Sequence, residues 1–127
     1  MKLELKSKRA QAIFLVVAIA FASLTAFSFV DLIQTQRTRE VFSAIGKANE
    51  ARRKMGESME SAEAFVAALR AINVDYTKKE LRPAFSAYVG GFEEGLALAK
   101  SGKSTANSDA KILAAHEELV QIAQRYE

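Results

Sequence analysis

At 127 residues the chain has room for one small domain, and with no cysteine it can build neither a disulfide framework nor a thiolate metal site. One proline, no tryptophan and a preponderance of Ala, Glu, Lys, Leu and Arg exclude a sheet-built fold and predict an all-α one. The net charge of +3 resides in the N-terminal tail, where Lys2, Lys6, Lys8 and Arg9 stand against Glu4 alone, while residues 31–127 hold equal numbers of acidic and basic side chains. Such a neutral, mixed domain has no basic stripe for neutralising phosphates, so nucleic acid is not expected as a partner.

From Ala10 to Val30 there is no charged residue, and Ile13, Phe14, Leu15, Val16, Val17, Ile19, Phe21, Leu24, Phe27, Phe29 and Val30 leave no polar helix face. At a rise of ~1.5 Å per residue this run reaches roughly 30 Å, the thickness of a bilayer hydrocarbon core. It is read as a single transmembrane helix, an uncleaved signal anchor. The competing reading is a cleavable signal peptide, since Ala18-Ile19-Ala20 and Ala20-Phe21-Ala22 have the small-x-small form. Cleavage after Ala22 would leave the apolar stretch Ser23 to Val30 at a new N-terminus, which favours the anchor. The positive-inside bias keeps the tail in the cytoplasm of an inner (plasma) membrane and places the C-terminal domain in a periplasm or extracellular space. The expected organisation is a basic tail over 1–9, a transmembrane helix over 10–30 and a helical domain over 31–127.

Neither Gly nor Pro occurs between Met1 and Ile45, so the membrane helix is expected to run on past the interface. Val41, Ile45, Ala48, Met55, Met59, Ala62, Val66 and Leu69 recur in steps near three and four, a coiled-coil-like seam suited to a homodimer or to packing within the chain. Gly46 and Gly56 are read as soft spots, each costing ~1 kcal/mol relative to Ala, in one helix that continues to about Ile72. Thr77 to Glu80 matches a capping box. Pro83, however, is tolerated only in a first turn, so the second helix is expected from about Arg82 to Lys100. Leu81, Phe85, Tyr88 and Phe92 form its stripe, with Val89 and Leu96 beside it, and Gly102 is placed for a left-handed cap. Ser108 is the expected cap of a third helix whose buried face is Ile112, Leu113, Leu119, Val120, Ile122, Ala123 and Tyr126. The fold expected is all-α, a single N-terminal transmembrane helix continuing into an antiparallel bundle of about three helices.

No arrangement for catalysis is evident. Gly102-Lys103-Ser104 lacks the earlier glycine of a phosphate loop, because position 97 is Ala. His116, the one histidine, is followed by Glu117 and Glu118 at adjacent spacing, not the i, i+4 spacing of helix metal sites. Neither an enzyme, a metal nor a cofactor is expected. The informative oddity is Arg52-Arg53-Lys54, where Arg52 interrupts the apolar seam. A guanidinium there either pairs with a carboxylate such as Glu93 or Glu94, or faces a groove or dimer interface and binds a small carboxylate ligand bidentately. In the second case Arg52 and Arg53 hold the anion and Tyr88 and Phe92 line the pocket.

The basic tail, the span, the uninterrupted helix to Ile72, and the stretches Leu81-Arg82-Pro83-Ala84-Phe85-Ser86-Ala87-Tyr88 and Leu96-Ala97-Leu98-Ala99-Lys100-Ser101-Gly102 together resemble the extracytoplasmic four-helix-bundle sensor region of methyl-accepting chemotaxis receptors. That resemblance implies a ligand-sensing module in signal transduction, in which ligand binding shifts the helix leaving the membrane. The family pattern also has a fourth bundle helix, a second span and a cytoplasmic signalling module, which the three-helix reading does not supply; a partner or further chain would carry the signal. The reading from a different class is a small single-span accessory subunit that tethers or stabilises a larger membrane complex.

Overall fold

The computed structural model describes residues 8–126, and every regular element among them is a helix: α1 (Lys8–Met55), α2 (Met59–Arg70), α3 (Leu81–Lys100) and α4 (Ala106–Arg125). The expected tail over 1–9 lies mostly outside these residues, and α1 already includes Lys8 and Arg9. Two compact units divide at Ile33 and Gln34.

In the first unit no described residue is buried, and large apolar side chains are exposed on every side, from Ile33 at 38% to Phe27 at 74%. The Thr25 hydroxyl donates to the Phe21 carbonyl at 2.9 Å, which satisfies it within the helix. The helix is long and apolar enough to cross a membrane.

The second unit packs the outer part of α1, from Gln34, with α2, α3 and α4. Contacts fix the directions. Arg52 meets Phe65 at one end, whereas the backbone N–H of Lys78 donates to Thr38 Oγ1 (3.0 Å) at the other. Arg70 pairs with Glu93 and Lys100 with Glu63 between α2 and α3, Lys111 pairs with Glu94 between α3 and α4, and Tyr126 reaches back to Glu80. The helices therefore alternate in direction, an antiparallel four-helix bundle. Its core is the spaced apolar set Val41, Ile45 and Ala48 of α1, Phe65 and Leu69 of α2, Leu81, Ala84, Phe85 and Tyr88 of α3, and Ala115, Leu119 and Ile122 of α4.

The helix expected to continue to Ile72 is broken at Gly56, so the bundle has four helices where about three were expected. Gly56 has φ +81°, in the left-handed region that a side chain disfavours. Ser58 then caps α2, its Oγ accepting from the Ser61 N–H at 3.0 Å, and the Ser61 hydroxyl donates to the Arg52 carbonyl. The two helix ends created at the break thus find partners, and reversal lets Phe65 and Leu69 bury against α1, a gain that continuous propensity cannot match.

The second expected helix is observed as α3, with Pro83 in its first turn. Gly102, at φ +67°, closes it as expected: Lys103 N–H donates to the Leu98 carbonyl and Gly102 N–H to that of Ala99. Ser108 is not the cap of the last helix. α4 begins at Ala106 behind Thr105, and Ser108 is fully buried in its first turn, donating to the Thr105 carbonyl at 2.8 Å. Leu113 and Val120, expected in the core, are 60% and 42% exposed. Successive residues turn by about 100°, which puts both opposite the Ala115, Leu119 and Ile122 face.

Two predictions follow from the break and from the Tyr126 contact. A Cβ meets nothing within 4 Å at either Gly46 or Gly56, and only Gly56 has positive φ. Gly46→Ala should therefore stabilise the bundle by roughly 0.5–1 kcal/mol and Gly56→Ala destabilise it by about 1 kcal/mol, read by chemical denaturation of the detergent-solubilised chain. The Tyr126 hydroxyl donates to Glu80 and, with Arg125 and Lys78 nearby, holds that carboxyl below the usual range. Because the folded pKa is the lower one, this stabilisation is present above the ordinary carboxylate pKa and is lost as pH falls through the folded value. Tyr126→Phe should cost about 1 kcal/mol at neutral pH and flatten the acid limb of a stability-versus-pH curve.

Candidate functional site

Toward the Met55 end of the bundle, α3 and α4 approach each other closely through small residues. Gly91 faces Ile112 and Gly95 faces Ser108, at distances that leave no room for a methyl at the first and little at the second. Above this close pair, the end of α1 and the start of α2 stand away from α3. A cleft of about 630 Å³ opens between them, with an apolar floor that includes Ala62, Phe65, Phe92, Leu96 and Ala99.

Three rings form a ladder across this end. Phe65 and Phe92 meet edge-to-face at 4.9 Å, and Phe92 meets Tyr88 in the same way at 4.9 Å. Each such pair contributes roughly 0.5–1.5 kcal/mol beyond its buried area. Arg52 lies on the ladder, its guanidinium carbon 4.5 Å from the centre of the Phe65 ring and 5.8 Å from that of Phe92. Neither Glu93 nor Glu94, the carboxylates expected to neutralise it, does so: they are held by Arg70 at 2.6 Å and Lys111 at 2.8 Å. Among the described residues Arg52 forms no ion pair, and π-faces take the place of a carboxylate.

A second cleft of about 620 Å³ lies on the other side of Arg52, between α1, α3 and α4, where Asn49, Tyr88, Asp109 and His116 supply polar groups. Tyr88 is 4% exposed. Burial pushes its phenol pKa upward, while a hydrogen bond from the Asn49 side chain and the charge of Arg52 work against that rise. The phenol therefore stays protonated at neutral pH, a donor set inside the bundle.

Of the residues singled out from sequence, Arg52, Tyr88 and Phe92 come together, and Arg53 stands on the rim of the first cleft. Asn49, Phe65 and Asp109 do not stand out in the sequence, and His116 stands out there only as a lone histidine without metal-ligand spacing. Phe65 carries the strongest contact to Arg52, and its signal was its place on a helix reversed by Gly56. The seam divides. Val41, Ile45, Ala48, Val66 and Leu69 are buried within the chain, Ala62 is half-buried, and Met55 and Met59 are 52% and 42% exposed. A dimer through the whole seam would have to open the core, since the break at Gly56 turns its two halves toward each other.

An exposed cation–π contact is worth about 0.5–1 kcal/mol, whereas emptying a buried aromatic position costs about 3–5 kcal/mol. Arg52→Ala should thus leave the bundle folded with a small loss of thermal stability, and Phe65→Ala should lower it severely; thermal unfolding followed by circular dichroism compares the two. No protein-family model, curated protein or solved structure matches this chain.

Proposed function

We propose that this chain is a membrane-anchored ligand-binding module of the sensor type, with its tail in the cytoplasm and its bundle on the far side of an inner (plasma) membrane. The observation that carries this reading is Arg52, a guanidinium held between two clefts against aromatic rings and without a carboxylate. A small carboxylate can supply the missing partner through two parallel hydrogen bonds. Kinship with the sensor region of methyl-accepting chemotaxis receptors is supported by the bundle having the four antiparallel helices that pattern requires. Arg52 and the apolar run Ala10 to Val30 belong to the same helix, Lys8–Met55. A ligand that engages Arg52 therefore binds on the helix that carries the apolar run, and it can shift that helix only by as much as it prefers one arrangement of it over another.

The second reading is an accessory subunit of a larger membrane complex. It is favoured by Leu113 and Val120, which expose an apolar strip on the outer face of α4.

The test is thermal unfolding of the full-length chain in lipid nanodiscs with a panel of small carboxylates, together with the intact mass of whatever is extracted from the membrane. A ligand at about 100 times its Kd adds roughly 2.7 kcal/mol, a rise of several degrees, and Arg52→Ala should abolish that rise. A full-length chain that co-purifies with other subunits and responds to no carboxylate would replace this reading with the accessory one. A mass beginning at Ser23 would remove the anchor.

A further inference from the structure

The two clefts adjoin. Arg52, Phe92, Asp109 and Ile112 line both and form their shared wall, of which the Arg52 side chain lying on the aromatic ladder is the exposed, movable part. Side chains can be moved by rotation about single bonds at little cost, and Arg52 is itself exposed. Swinging it off Phe65 opens that wall above Phe92.

The two clefts differ in chemistry. On the α4 side, the guanidinium, the protonated Tyr88 phenol and the Asn49 amide offer hydrogen-bond donors, with the His116 ring and the Asp109 carboxylate completing the polar lining. That set suits one anionic group of few atoms. Asp109 lines both clefts, and since its repulsion grows with the ligand's charge it disfavours a dianion more than a monoanion. On the α2 side Phe65, Val66, Phe92, Leu96 and Ala99 supply an apolar surface for a flat or branched hydrocarbon body, with polar side chains such as Arg53 and Glu57 around it.

Resting on the ligand-binding reading above and narrowing it, the geometry points to an amphipathic monocarboxylate as the ligand, with its carboxylate at Arg52, Tyr88 and Asn49 and its apolar body over Phe65 and Phe92. The guanidinium that covers Phe65 in this structure exchanges the ring for the carboxylate, and the ligand's body takes its place on the ring. A charged hydrogen-bonded pair replaces an exposed cation–π contact, so head and body are recognised together and neither suffices alone.

The experiment is calorimetric titration of the full-length chain in nanodiscs, referenced to empty nanodiscs, with 3-phenylpropanoate, its amide, acetate and succinate. One 3-phenylpropanoate should bind per chain, with the amide and acetate each weaker by about tenfold or more, as loss of one charged contact or of the buried body requires. Arg52→Ala should bring acid and amide to within about twofold. Ala99→Phe, at an exposed helical position on the wall of the α2-side cleft, should weaken the acid about tenfold with an unchanged melting temperature. Equal binding of acid and amide by the wild-type chain, or an Ala99→Phe chain that binds the acid normally, would overturn the proposal. Succinate binding that needs Arg52 and is as tight as 3-phenylpropanoate would overturn it and leave the ligand-binding reading standing; no binding of any carboxylate would remove both.

Discussion

The fold of the second unit depends on one backbone conformation. At Gly56 the chain enters the left-handed region and turns back, and everything that makes a bundle of the outer part of α1 follows from that reversal. A helix that continued would leave Val41, Ile45 and Ala48 on one side of a rod and Phe65 and Leu69 farther along it, each stripe needing a separate partner. Turned back, the stripes face each other and α3 and α4 complete the core. The caps contributed by Ser58 and Ser61 keep the cost of two extra helix ends small.

The same reversal creates the candidate site. It brings Phe65 beneath Arg52 and sets the start of α2 beside the glycine- and alanine-lined end of α3. The cleft it leaves is open to solvent, with the exposed Arg52 and Arg53 among its lining and Phe65 beneath. At the opposite end the packing is tied by polar contacts. Thr38 accepts from the Lys78 backbone, Thr77 is buried with its hydroxyl donating to the Val74 carbonyl, and Tyr126 joins the end of α4 to Glu80. The Thr38 end is thus cross-linked by these polar contacts, and the clefts beside Arg52 lie toward the Met55 end.

Much of the architecture could be read from residues one at a time. Pro83 marked the first turn of α3 because it lacks an N–H, and Gly102 marked its end because a left-handed residue was needed there. Gly56 was misjudged for a physical reason: as an isolated penalty of about 1 kcal/mol it is small, and its effect appears only when the following Ser58 and the facing stripes are counted together. Ser108 was misplaced because a hydroxyl can cap a helix or fill a tight contact equally well. Its burial against Gly95 is a fact of packing between α3 and α4.

By itself, the sequence determined the properties that need no partner. A run without charge from Ala10 to Val30 must be apolar on every face, and a composition rich in helix formers with spaced apolar residues must fold as helices. It also singled out Arg52, because a charge interrupting an apolar period is visible in one dimension. What Arg52 faces was decided only by the tertiary structure. Its company depends on which helices run alongside it, on Glu93 and Glu94 being taken by Arg70 and Lys111, and on the turn at Gly56 delivering Phe65 to the guanidinium. Those are contacts between residues far apart in the chain, and local propensity carries no information about which of several available partners a side chain meets.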